Sequence, residues 1–94
     1  MDIMAQTCPK NGQHFSTSGT SARNTTALTA SLVTIHASAD VYIKLGASDV
    51  VASSSNYDFH VVSGQYFYLR TNGSTHIAAI QVTAAGVFYI NEER

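Results

Sequence analysis

A single cysteine, Cys8, rules out an internal disulfide and a thiolate cluster holding a metal. A secreted domain of this size would ordinarily carry several cysteines. Cys8 therefore reads as a reduced thiol in a protein made in a cytoplasm. Met1 to Lys10 lacks a basic start followed by an apolar run, so it does not read as a signal peptide. Charge is scarce as well. Five Lys or Arg against six Asp or Glu give a net charge of −1, which argues against nucleic-acid binding, because neutralising phosphates needs clustered cations. No window approaches the roughly 18 uninterrupted apolar residues of a membrane-spanning helix. Hydrophobic residues make up 45% of the chain and charged ones 12%, the reverse of the balance that keeps a chain disordered. Ninety-four residues suffice for one small domain.

Composition changes near residue 26. Gln6 to Thr26 is mostly Ser, Thr, Gly, Asn and Gln, with Phe15 as its one aromatic. Such a stretch buries too little apolar surface to offset its own ordering entropy. The chain is therefore expected to divide into an extended polar N-terminal arm over 1–26 and a folded body over 27–94. Such an arm is either a floppy leader or a segment that becomes ordered only when laid on a neighbouring subunit.

The body reads as β nearly throughout. Val41, Ile43 and Leu45 alternate with Asp40, Tyr42 and Lys44, a period of two that a strand satisfies. Val33 and Ile35 alternate with Thr34 and His36, and the short Ala37-Ser38-Ala39 link predicts an antiparallel hairpin with the next strand. Leu28, Ala30 and Leu32 are in the opposite phase, so a bulge or a strand break is expected near Leu32. Ser63-Gly64 and Asn72-Gly73 are turn signals, the second joining Gln65–Arg70 to Thr75–Val82 as a hairpin. Gly86 is placed where a left-handed residue would close the loop after Ala84-Ala85. Leu45 to Asn56 lacks strand signals and reads as a surface crossover between sheets. Helix has little support. Short strands with turn signals every eight to twelve residues predict an all-β fold: a small antiparallel β-sandwich or jelly roll of about six to eight strands.

The late strands are apolar on both faces. Phe67 and Leu69 alternate with Tyr66 and Tyr68, Phe88 and Ile90 with Val87 and Tyr89, Ile77 and Ala79 with Ala78 and Ile80. A small domain has no spare element to cover a second face, and without disulfide or metal its stability estimate comes out near zero. The outer face is thus expected to pack on other proteins in an oligomer or larger assembly. Val41, Ile43, Phe67, Leu69, Ile77, Phe88 and Ile90 are the core candidates. Tyr42, Tyr66, Tyr68 and Tyr89, with Phe15 from the arm, are the candidate contact residues, because tyrosine offers large area at low rotamer cost.

Signs of catalysis are missing. The four histidines (14, 36, 60 and 76) are not at zinc-ligand spacings, and ordinary sheet-surface histidines account for them better. No Gly-x-Ser-x-Gly elbow, phosphate loop or paired carboxylate stands out, and Asp49 and Asp58 read as turn caps. No catalytic, cofactor-binding or metal-binding residue is expected, and the chain does not read as an enzyme.

The order of pieces from Val33 to Asn91 resembles a group of short virion proteins of tailed bacteriophages. The pieces are Val-Tyr-Ile-Lys-Leu-Gly (Val41 to Gly46), a Ser/Ala-rich link to an aspartate and an aromatic (Ser53 to Phe59), and Ser63-Gly64-Gln65-Tyr66-Phe67. Thr-His-Ile-Ala-Ala-Ile (Thr75 to Ile80) and Gly-Val-Phe-Tyr-Ile (Gly86 to Ile90) complete the series. The chain departs from that group in having Val61-Val62-Ser63 where a proline often precedes the turn glycine, and in its Asn91-Glu92-Glu93-Arg94 ending. The resemblance implies a non-enzymatic structural role in the virion: a capsid decoration (cement) protein, or a small neck, tail or fibre component. The implied partners are the phage major capsid protein or other virion proteins and further copies of the chain. A sugar-binding module on a tail fibre is the alternative from a different class.

Overall fold

The computed structural model describes residues 12–92. Eight strands form: β1 (Gln13–Thr17), β2 (Ala22–Arg23), β3 (Leu32–Ala37), β4 (Val41–Gly46), β5 (Phe59–Val61), β6 (Phe67–Arg70), β7 (His76–Gln81) and β8 (Gly86–Glu92). They make two four-stranded antiparallel sheets, ordered β1-β8-β3-β6 and β2-β7-β4-β5. First pairs with last, second with seventh, third with sixth and fourth with fifth, as in a long hairpin rolled into a barrel-like sandwich. That is the jelly-roll arrangement, an all-β class that stacks two sheets face to face.

The period-two pattern explains the packing. Inward positions Val33, Ile35, Val41, Ile43, Val61, Ile77, Ala79, Phe88 and Ile90 are all fully buried between the sheets, with Phe67 and Leu69 packed against them from the open side. Each fully buried aliphatic or Phe side chain contributes roughly 1.5–3 kcal/mol. All seven core candidates thus face the interior. The phase change at Leu32 is a strand break: the chain runs without regular structure up to Ser31, and β3 starts at Leu32.

Several connections differ from expectation. β3 and β4 lie in different sheets, as do β6 and β7, so neither pair is a hairpin. Asn72 and Gly73 do adopt positive φ (51° and 87°), but the turn carries the chain from one sheet to the other. Gly86 is not left-handed. It sits in β8, where a Cβ would come within 2.7 Å of Ser38 Oγ and 2.9 Å of Ala39 Cβ, so close approach explains the glycine. Residues 47–58 do not cross between sheets. They join neighbours β4 and β5 and fold over the outer face of their own sheet, where Val50 and Ala52 cover Ala78 and Ile80. Ser21 anchors this flap by accepting a hydrogen bond from the Ala52 N–H (3.0 Å). The second apolar face of β7 is therefore covered from within the chain.

Within the segment expected to be an arm (1–26), β1 and β2 are strands of the sandwich. Residues 1–11, including Cys8, lie outside the described residues, but from Gln13 the chain is already β1, paired along its length with β8. The polar composition hid this, because a sheet-edge strand needs few inward residues: Phe15 touches Phe88 at 5.5 Å between ring centres, and buried Thr17 accepts a hydrogen bond from Gly86 N–H. β2 is only two residues long, and the Asn24 side chain extends its pairing by accepting from Ile77 N–H (2.8 Å) and donating to the Thr75 carbonyl. At the far end of β8, buried Glu92 accepts from the N–H groups of Thr29 (2.8 Å) and Ala30 (2.7 Å), holding the irregular 25–31 segment down.

Candidate interaction surface

In the β1-β8-β3-β6 sheet, outward positions of neighbouring strands line up directly. His14 lies opposite Tyr89, Tyr89 opposite His36, and the β3–β6 register continued by one pair sets Tyr66 opposite His36. The result is a row of four rings running across all four strands. His14 and Tyr89 are 5.8 Å apart, Tyr89 and His36 stack at 4.4 Å and 8°, and His36 meets Tyr66 at 4.4 Å. Cross-strand aromatic pairs of this kind hold adjacent strands in register. His36 is the middle of the stack, and its Nδ1 is buried with no hydrogen-bond partner among the described residues.

Tyr89 and His36 stack face to face at the middle of the row, while the His14–Tyr89 and His36–Tyr66 pairs are tilted by 36° and 33°. Both ends of the row are exposed, His14 on β1 and Tyr66 beside β6. Tyr66 is 65% exposed and Tyr68, two residues along the same face, 67%. Among the described residues, the exposed large hydrophobics, Val51, Tyr57, Phe59, Val62, Tyr66 and Tyr68, all fall between positions 51 and 68. On this side Phe59 of β5 and Phe67 of β6 meet edge to face at 5.1 Å, bridging the two sheets at the lip of the sandwich.

The other sheet carries a second, smaller cluster. Tyr42 stacks on Tyr57 at 4.2 Å and lies 5.2 Å from His60. His60 Nε2 and Asp40 Oδ2 are 3.1 Å apart, and Asp40 Oδ1 also accepts from Ser63 N–H at 3.0 Å. The Ser63 N–H, followed by His60, holds the Asp40 carboxyl below its ordinary value. Asp58 accepts from Leu45 N–H and pairs with Lys44 at 3.6 Å, so it secures the end of the flap. Asp40 and His60 pin the β5–β6 connection to the start of β4. These partners give Asp40, His60 and Asp58 structural work at the open edge.

The five candidate contact residues therefore do not form one surface. Tyr66, Tyr68 and Tyr89 share the outer face of the β1-β8-β3-β6 sheet. Tyr42 lies on the opposite side of the sandwich, half-buried under Tyr57. Phe15 points toward the core and packs against Phe88, since strand β1 turns its odd positions inward. Sequence reasoning missed His14 and His36, although both fall at the strand parity of the tyrosines they touch.

Two shallow grooves lie at the opposite edge, of about 280 and 420 Å³, sharing Arg23, Asn24 and Thr25. The Asn24 amide and, beside it, the Gln13 amide are committed to backbone groups there, Gln13 spanning both the N–H and the carbonyl of Thr26. Among the described residues no three His, Cys, Asp or Glu side chains gather as a metal site would require. Compared with protein-family models, with curated proteins and with solved structures, the chain finds no match in any of the three.

Proposed function

We propose that this chain is a non-enzymatic structural protein of a bacteriophage virion, a decoration (cement) protein that stabilises the head by protein–protein contacts. The observation that carries the reading is the row of rings ending in Tyr66, with Tyr68 beside it: a large, weakly charged aromatic surface on one outer face. Such a surface suits a protein partner, since interface cores are depleted in charge and enriched in tyrosine. The jelly roll itself serves capsids and lectins alike, so the fold supports the class only by analogy. A protein held in many copies against neighbours also tolerates the small core, because docking stabilises it by mass action.

The test is co-sedimentation of the purified chain with heads that lack it, from the phage that encodes it. Saturable binding in a fixed ratio to the major capsid protein is expected, reduced by Tyr66→Ala with Tyr68→Ala while the far-UV β signal persists. Binding confined to one vertex would move the protein to the neck or tail. The open ring of Tyr68 favours a second reading, sugar stacking on a tail fibre, and binding to a glycan array without head binding would select it.

A further inference from the structure

The open edge of β6 has a second property that the aromatic surface alone does not explain. Thr71 N–H donates to the Ser31 carbonyl at 2.9 Å, which continues the β3–β6 ladder by one hydrogen-bonded pair. Backbone groups of successive residues in a strand point to opposite sides. Phe67 and Leu69 therefore spend their N–H and carbonyl groups on β3, and Thr71 N–H is taken by Ser31 just before it, whereas the groups of Tyr66, Tyr68 and Arg70 point to the free edge. β6 is the last strand of its sheet. Its inner-face residues Phe67 and Leu69 stay partly exposed, unlike Val33, Ile35, Phe88 and Ile90 on the strands behind them. At the opposite edge, on β1, the Gln13 side chain bonds both the N–H and the carbonyl of Thr26.

We infer that the free edge of β6 pairs with β6 of a second copy, antiparallel about a two-fold axis through Tyr68, joining two sheets into one of eight strands. The sequence of this strand is complementary to itself in that register. Tyr68 meets Tyr68 of the second copy, Tyr66 meets Arg70, and Phe67 meets Leu69. All three free backbone pairs of Tyr66, Tyr68 and Arg70 are then satisfied. The inner side joins Phe67 to Leu69 twice, covering the lip beside Phe59. On the outer side each Arg70 guanidinium lies next in line after His14, Tyr89, His36 and Tyr66, at the open ring of Tyr66, where a cation–π contact extends the row across the axis. An isologous contact of this kind closes on itself, so it gives a dimer and no fibre. A net charge of −1 per chain sets little repulsion against it. This pairing does not depend on the virion reading, and both copies keep their tyrosine faces on the same side of the joined sheet.

The full chain in free solution, measured by sedimentation or light scattering without phage particles, is expected at twice the chain mass of 10.0 kDa. Tyr68→Pro removes a donor that β3 does not use, at an edge where proline is tolerated. It is expected to give a monomer with the β signal of the parent, and Arg70→Glu to weaken the dimer at least tenfold. In a Cys8→Ser background, Tyr68→Cys places two thiols across the axis at a Cα separation of about 5.5 Å, within disulfide range. Mild oxidation should then cross-link the dimer, whereas Ser63→Cys should not. A monomeric parent protein overturns the inference. So does a dimer in which the Tyr68→Cys variant fails to cross-link, which also decides the matter should the proline variant fail to fold.

Discussion

His36 offers a substitution whose expected sign runs against habit. Its ring lies between Tyr89 and Tyr66, each at 4.4 Å, while its Nδ1 is buried without a partner among the described residues. Burying a polar atom without a hydrogen bond costs about 1–3 kcal/mol, and an aromatic pair contributes about 0.5–1.5 kcal/mol beyond its area. His36→Phe keeps both ring contacts and removes the polar atom, at the cost of fitting one more ring carbon, which takes back up to about 1 kcal/mol. The net expectation is a gain of about 1 kcal/mol, seen as a rise in Tm of roughly 4–8 °C for a domain of this size. His36→Ala removes the polar atom as well, but with it both ring contacts and the buried ring area, and should lose about 1–2 kcal/mol on balance. Thermal and urea unfolding of the three proteins, followed by far- and near-UV circular dichroism, measures both signs at once. If Phe at this position destabilises as much as Ala does, the buried nitrogen is not a liability and the reasoning about the row fails.

Two further perturbations test what holds the ends of the sandwich. Glu92→Ala strands the N–H groups of Thr29 and Ala30 and should cost about 3 kcal/mol, whereas Glu92→Gln keeps an acceptor and should cost less than half of that. Urea midpoints with an unchanged slope would measure both. Asp40 is held below its ordinary value of 3.8, so the folded state favours its charged form more than the unfolded chain does. Its stabilising contribution is complete above 3.8 and fades as pH falls through the lower folded value. The stability gap between the parent and Asp40→Asn should therefore narrow below that pH, and a gap that is constant with pH would contradict the assignment.

Local chemistry was readable where the backbone or the period of two dictates it. Val41, Ile43, Ile77, Phe88 and Ile90 were legible as strand residues and core candidates from alternation, although the late strands are apolar on both faces, and Asn72-Gly73 was legible as a turn with positive φ. Which sheet a strand joins was not readable. A tight turn fixes dihedral angles, but the sandwich decides whether the next strand pairs with the last or crosses to the facing sheet, as β3–β4 and β6–β7 do. Gly86 shows the same limit, since its reason is the approach of Ser38 and Ala39, more than forty positions away in sequence. β1 was hidden because Phe15 is its one aromatic among polar neighbours. Of the surface, Tyr66 and Tyr68 were found from alternation alone, while His14 and His36 become visible only once cross-strand partners are known. The flap over Ala78 and Ile80 could not be seen in Ser-rich residues 47–58, because two short apolar side chains, Val50 and Ala52, do the covering.

Tyrosine footprinting bears most directly on whether the aromatic face of the β1-β8-β3-β6 sheet is a docking surface. Tyr66 and Tyr68, 65% and 67% exposed in the single chain and still on the outer face of the joined sheet in the dimer, should be modified more in the free protein than on the particle. On intact phage particles both should be protected, with Tyr57, on the other side of the sandwich, as the internal comparison. Equal modification of Tyr66 and Tyr68 in the free protein and on the particle, with Tyr57 likewise unchanged, would show that this face meets no partner.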